Sequence, residues 1–229
     1  MYIEKLPPEQ QALLDSFEEA GGVVDLVVLN RDGAERNAET YRQAALMALD
    51  AVGAQWDQYF TELVKLPDYQ NYKRNEFFSV NVSADKLTGH RIDRSDFLGC
   101  QFLVNENRLL VRGKHSNYLN EYFREGDPET EHTRMPREQL NALPDSGFSY
   151  AFLSPPYNLQ ISNEDACSLF WQIAHVFLSD LDEAAEVWSW STDCSNYFEA
   201  GHEWWGSHFY TFSHPDSDRV IAVLASATD

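Results

Sequence analysis

The stretch 188–210, WSWSTDCSNYFEAGHEWWGSHFY, holds four of the chain's six tryptophans. It lies in a region, 138–229, with fourteen Asp or Glu against the single base Arg219. Aromatic surface is costly to leave in water, so the chain must fold around this stretch or present part of it to another molecule. If Trp188 and Trp190 share a strand, the two-residue period puts both on one face and Ser189 and Ser191 on the other. Tyr197-Phe198 and Trp204-Trp205 flank Gly201, a helix end or turn, and adjacent aromatic residues there divide between core and surface. An exposed ring bordered by Asp193, Glu199 and Glu203 has the composition of a contact centre for a basic partner. The candidate contact set is therefore Trp188, Trp190, Asp193, Tyr197, Glu199, Glu203, Trp204 and Trp205. An aromatic core with a solvated acidic rim has the same composition, and the sequence leaves both readings open.

At 229 residues, 43% hydrophobic and 14% aromatic, the chain can bury a sizeable core. One domain over 1–229 is expected, with a possible subdivision near 113–147. Thirty-seven acids against seventeen bases give a net charge of -20. That charge repels nucleic-acid phosphate and anionic lipid, which argues against conventional nucleic-acid and membrane binders, and it suits a partner that is itself basic. The opening MYIEKLPP lacks a charged, then apolar, then small-residue leader. No apolar run approaches about 18 residues, so the expected location is the cytoplasm. Cys100, Cys167 and Cys194 are odd in number and widely spaced, and read as reduced, mostly buried thiols.

The expected fold class is α+β, a mainly antiparallel sheet with a long helix in the N-terminal third and a shorter helix near 163–179. Pro7-Pro8 opens a short helix that Gly21-Gly22 closes. Residues 23–29 are β-branched and apolar, a strand, and Asn30-Arg-Asp32-Gly33 is a turn. Over 34–66 apolar residues recur at spacings of three and four, the longest helix, which Pro67 ends. Residues 77–83 alternate like a strand, and 87–89 read as a turn. A hairpin is predicted from 97–104 and 108–112 around Asn105-Glu-Asn107. Residues 113–147 are polar and proline-punctuated and read as a long connection with little regular structure. Residues 148–153, 187–190, 207–212 and 219–224 read as strands. Strand and helix runs that cluster rather than alternate point to an antiparallel sheet.

Tyr150-Ala-Phe-Leu-Ser154-Pro-Pro-Tyr157-Asn158 resembles the catalytic loop of amino-group DNA methyltransferases, in which a strand ends in Ser/Asn/Asp-Pro-Pro-Tyr. The resemblance implies Ser154 as acceptor for a target amine and Tyr157 as the stacking platform. That family also needs a glycine-rich cofactor turn and a parallel sheet, and no G-x-G occurs in the chain. No cofactor is expected. His202 and His208 are six apart with Gly206 between, unlike the two histidines four apart of a zincin helix, and no metal is expected. Asp193 and His202, with Ser191 and Cys194 close in sequence, supply residue types for nucleophilic or acid–base chemistry, but no G-x-S-x-G elbow is present. The alternative enzyme site is Ser154, Tyr157, Asp193 and His202.

The segments WSTDCSNYFEAG at 190–201, EWWG at 203–206 and the ending ASATD together resemble the C-terminal signature of a family of small acidic bacterial proteins. That family is similar in character to immunity proteins that neutralise secreted toxins, an analogy of type rather than of motif. The resemblance implies a non-enzymatic binding protein that occludes a basic toxin or nuclease. An enzyme built on the Ser154 loop is the second expectation, and a structural or scaffold subunit the third.

Overall fold

A computed structural model describes residues 1–74, 79–104, 108–112, 118–123, 132–134 and 146–227. Strand β1 (Tyr2–Ile3) leads to helix α1 (Pro8–Glu19), which begins on proline and stops before Gly21, whose φ of 90° only glycine adopts readily. Strand β2 (Val24–Asn30) follows. Helix α2 (Ala38–Leu63) starts where the Asn37 side chain accepts from the Thr40 N–H at 3.0 Å. Strand β3 (Gly89–Ile92) and the short helix α3 (Arg94–Leu98) precede strands β4 (Phe102–Leu103), β5 (Arg108–Arg112), β6 (Tyr118–Phe123) and β7 (His132–Arg134). Helices α4 (Phe148–Leu153) and α5 (Asn163–Phe177) then lead to β8 (Glu186–Trp190), β9 (Ser207–Ser213) and β10 (Arg219–Ser226).

Two antiparallel sheets result, a six-stranded one in the order β1-β2-β10-β9-β8-β3 and a four-stranded one in the order β4-β5-β6-β7. The six-stranded sheet is the middle of three layers. On β2 and β10 alternate residues are apolar on both faces, so both faces must be covered. Val27, Leu29, Val220, Ala222 and Leu224 pack under α2, whose Ala44, Ala45 and Ala48 let the helix approach the sheet closely. Leu26, Val28, Ile221 and Val223 pack on the other face against α1, α3, α4 and α5 through Phe17, Phe97, Phe148, Phe152 and Phe170. Leu109 of β5 joins that second cluster.

Helix α4 is fastened to α3 where two glycines meet back to back. Gly99 (φ 79°) and Gly147 (φ 87°) lie so close that a Cβ on Gly99 would stand 2.4 Å from the Ser146 carbonyl, and one on Gly147 2.5 Å from the Gly99 Cα. The Ser149 hydroxyl donates to the Leu98 carbonyl at 2.5 Å beside this crossing.

The α+β class, the long helix in the N-terminal third and the helix over Asn163–Phe177 match the sequence expectation. Several local readings are corrected. Residues 148–153 are helical: the six residues FSYAFL are too few to show a period and are buried except at Tyr150, and Pro155-Pro156 stop a helix rather than a strand. Phe97-Leu98 end α3 instead of opening the hairpin's first strand, which is only Phe102–Leu103. Gly89 begins β3 rather than closing a turn; the Trp190 ring stands over it, and a Cβ there would meet the ring at 2.4 Å. The polar stretch 113–147 contains β6 and β7, strands in register with β5. The strand expected at 77–83 reduces to a bridge between Val82 and Ser195, with 77 and 78 outside the described residues. The hairpin turn at 105–107 is also outside them.

Candidate functional site

The register of the sheet gathers much of the aromatic, acidic stretch at one end. Asp25 of β2 lies opposite Leu224, Leu224 opposite Phe209, and Ser189 opposite Tyr210. So β2 begins, β10 ends, β9 begins and β8 ends on the same side of the molecule. The connection 191–206 crosses that side in two short 3-10 turns, Asn196–Phe198 and Ala200–Glu203. Local polar groups hold it: the Asn196 side chain donates to the Ser79 carbonyl at 2.8 Å and accepts from the Asn81 N–H at 2.7 Å. The Gly201 N–H donates to Ser226 Oγ at 2.9 Å, and the Ser207 hydroxyl to the Phe198 carbonyl at 2.7 Å.

The eight candidate contact residues separate into two groups. Trp188 and Trp190 do share one strand face, with ring centroids 5.8 Å apart, but it is the face under α2. Trp190 is buried and donates its indole N–H to Thr211 Oγ1 at 2.9 Å, while half-buried Trp188 stacks on Tyr41. Trp205 is 2% exposed and donates its Nε1–H to the Ser154 carbonyl at 2.6 Å. Trp190 and Trp205 are therefore core residues and offer a partner nothing; burying an indole with its N–H satisfied is their contribution. Tyr197 is partly buried, its hydroxyl donating to Asp25 Oδ2 at 2.7 Å. What faces solvent is Asp193, Glu199, His202, Glu203 and Trp204.

The division of Trp204 from Trp205 has a second half across the surface. Tyr157, at 66%, and Trp204, at 56%, are the two most exposed large apolar side chains among the described residues. Each lies within three residues of the Ser154–Trp205 hydrogen bond, so that bond ties the loop bearing Tyr157 to the turn bearing Trp204. Among the described residues no base forms an ion pair with Asp193 or Glu199, and α1 brings Glu18 toward Asp25 at the same end. The connection 191–206 presents the Trp204 ring and negative charge together.

Two titratable groups at this end, Asp25 and His208, lie outside both candidate residue sets. Burial raises the Asp25 carboxyl to about 6, the Tyr197 hydrogen bond opposing and the Glu18 charge adding to the rise. Burial lowers His208 to about 4; it sits among the rings of Tyr150, Trp205 and Tyr210, and its Nε2 has no hydrogen-bond partner among the described residues. The available signals are a lone carboxylate inside the apolar run 23–29, and a histidine on a strand that also carries Phe209, Tyr210 and Phe212.

The alternative enzyme set is not joined. His202 Nε2 lies 2.8 Å from Thr192 Oγ1, and among the described residues no hydrogen bond links it to Asp193 or Ser154. Ser154 contributes its backbone carbonyl, already used by Trp205. The SPPY sequence follows a helix, and the six-stranded sheet is antiparallel, unlike the strand and parallel sheet that the methyltransferase resemblance implies. Cys167 and Cys194 belong to opposite faces of the sheet, their thiols pushed up by burial to about 12 and about 11. Among the described residues no group of three or more His, Cys, Asp or Glu is placed to hold a metal, and no helix is long and apolar enough to cross a membrane. The chain matches no protein-family model, no curated protein and no solved structure. The resemblance to small acidic bacterial proteins therefore rests on the sequence text alone.

Proposed function

We propose that this chain is a non-enzymatic binding protein of the cytoplasm that occludes a basic protein partner, such as a toxin or nuclease domain, with the acidic aromatic end of its sheet. The observation that carries the reading is the exposure of Tyr157 and Trp204 on the two segments that the Ser154–Trp205 bond joins, the second of which also carries the exposed carboxylates Asp193, Glu199 and Glu203. Exposed aromatic anchors supply affinity when a partner desolvates them, and surrounding charge of one sign selects the partner and speeds its approach. A nuclease domain, which must hold a polyanion, has the complementary positive surface.

The test is affinity capture of the tagged chain from lysate of its native cells at low and high salt, followed by titration of the captured protein. A basic protein recovered in stoichiometric amount and released as salt rises is the expected result. Asp193→Asn, Glu199→Gln and Glu203→Gln combined should slow its association about tenfold or more at low salt. Association undiminished by all three changes would remove this surface from the interface.

A further inference from the structure

Asp25 is the one charged residue of β2, and it shares a strand face with Val27 and Leu29, which pack under α2. It is partly buried, and the Tyr197 hydroxyl, 2.7 Å from Oδ2, is its only hydrogen-bond donor among the described residues. No base forms an ion pair with it there, and the charge that acts on it is a second carboxylate, Glu18 of α1. An ionised carboxylate offers about four acceptor sites, so a single donor leaves it underserved away from water, and a neighbouring negative charge adds to the cost. The geometry therefore favours the protonated acid in place. Burial, opposed by the Tyr197 bond and reinforced by Glu18, accordingly holds the carboxyl at about 6 instead of 3.8.

Tyr197 ties this acid to the connection 191–206. It sits in the 3-10 turn Asn196–Phe198, where the Phe198 N–H donates to the Ser195 carbonyl at 3.2 Å and the Glu199 N–H to the Asn196 carbonyl at 3.1 Å. A single 3-10 turn is bonded less well than an α-helix or a sheet and opens locally before the sheet does. Opening it removes Tyr197 from Asp25 and admits water to the carboxyl, which ionises there at no penalty. We propose that the Asp25–Tyr197 pair is a proton-controlled latch: with Asp25 protonated the first turn of the connection is held on the sheet, and with Asp25 ionised that turn is released more often. The stabilisation of the closed turn is fully present below about pH 4 and is lost as pH rises to about 6. The same connection bears Asp193, Glu199, Glu203 and Trp204, so the latch sets how rigidly they are presented; that consequence rests on the function proposed above, and the latch itself does not. The other titratable group shifted at this end, His208, is held in the sheet opposite Ala225 and moves in the opposite sense, so the response of Asp25 is read against a variant that retains His208.

Amide hydrogen exchange followed by NMR at about pH 5 and about pH 7.5, corrected for intrinsic rates, reports opening at Phe198 and Glu199. The opening constant of the parent, divided by that of Asp25→Asn, should rise about five- to tenfold from the lower pH to the higher. Glu18→Gln, at an exposed position whose side chain makes none of the turn's hydrogen bonds, should shrink that rise. Tyr197→Phe should open more than the parent, and by a larger factor at the higher pH, where the ionised carboxyl is left with no donor. Ile221 and Val223, in the middle of the sheet, report global unfolding in the same spectra. A parent whose opening keeps a constant ratio to that of Asp25→Asn over this range overturns the proposal, as does a turn that opens only as rarely as Ile221 and Val223 exchange.

Discussion

The Trp205 indole donates its Nε1–H to the Ser154 backbone carbonyl at 2.6 Å, and this bond couples two surface segments that lie fifty-one residues apart. Trp205 is driven inward against Tyr150 and His208, and Trp204, its neighbour, is thereby turned outward. The Ser154 carbonyl sits at the end of α4, where the helix leaves its last acceptors without intrahelical donors. Trp205 thus acts as a cap supplied from another part of the chain.

Trp205→Phe removes that donor while keeping most of the ring volume. It should destabilise the fold by about 1–3 kcal/mol, the cost of an unsatisfied part-buried carbonyl with some loss of packing. Ser154→Ala leaves the backbone acceptor in place and should change stability by no more than about 0.5 kcal/mol. Urea unfolding of both variants checks the pair; equal losses would mean that the hydroxyl, not the carbonyl, matters at this position.

The Gly99–Gly147 crossing should tolerate no side chain on either glycine. Gly99→Ala places a Cβ 2.4 Å from the Ser146 carbonyl at a φ of 79°, so strain and overlap add, and neither a rotamer change nor a flexible neighbour can relieve them. A loss above about 3 kcal/mol, or failure to accumulate as folded protein, is expected. By contrast Gly33→Ala, at a φ of 73° but with nothing within 4 Å, meets only the conformational penalty of about 1–2 kcal/mol. Thermal unfolding of the two variants should rank them in that order.

How far the fold was legible follows from which signals are local. Strands β8, β9 and β10 announce themselves through β-branched and aromatic runs between polar turns, and α1, α2 and α5 through period, with punctuation at Pro7-Pro8, Gly21-Gly22 and Pro67. The run 148–153 did not, since a six-residue segment with apolar residues at four positions and only Tyr150 partly exposed carries neither period; Phe97 and Phe170 pack on its Phe148, and Phe170 on its Phe152 as well. Strands β6 and β7 escaped because the consecutive polar pair Asn120-Glu121 breaks the alternation of β6 and β7 is His-Thr-Arg throughout, so only pairing with β5 and with each other marks them. At the acidic end the division within Trp204-Trp205 could be anticipated, but which ring turned inward depends on the Ser154 carbonyl. Trp188 and Trp190 were rightly placed on one face, and only the position of α2 shows that this face is covered.

Trp204→Ala should leave stability within about 0.5 kcal/mol of the parent, since the ring is more than half exposed, while weakening a complex with the basic partner about tenfold or more. Tyr157→Ala should behave alike. Calorimetric titration against the captured partner, beside unfolding curves, separates the two effects; full affinity retained in both variants would show that the exposed rings are not anchors.

Asp25 and His208 should pull stability in opposite directions over nearly the same pH window. The folded Asp25 carboxyl titrates at about 6 against 3.8 in its ordinary state, so it binds a proton more readily folded than unfolded. Its stabilising contribution is fully present below about pH 4 and is lost as pH rises to about 6. His208 titrates at about 4 when folded against 6.5 ordinarily, so the unfolded chain binds the proton first. Its contribution is fully present above about pH 6.5 and is lost as pH falls to about 4. At 1.36 kcal/mol for each pH unit of displacement, each effect is at most about 3 kcal/mol, and partial exposure of Asp25 trims its share. In the parent the two slopes largely cancel. Asp25→Asn, which keeps an oxygen to accept from Tyr197, should therefore gain about 1–3 kcal/mol at pH 7.5 and fall more steeply than the parent as pH drops from about 6.5 to 4. His208→Phe should do the converse, gaining stability relative to the parent as pH falls through that window. Urea midpoints of the three proteins at half-unit pH steps decide the matter: parallel curves would mean that neither group titrates with folding, and a steeper slope in one variant alone would assign the pH response to the residue that variant retains.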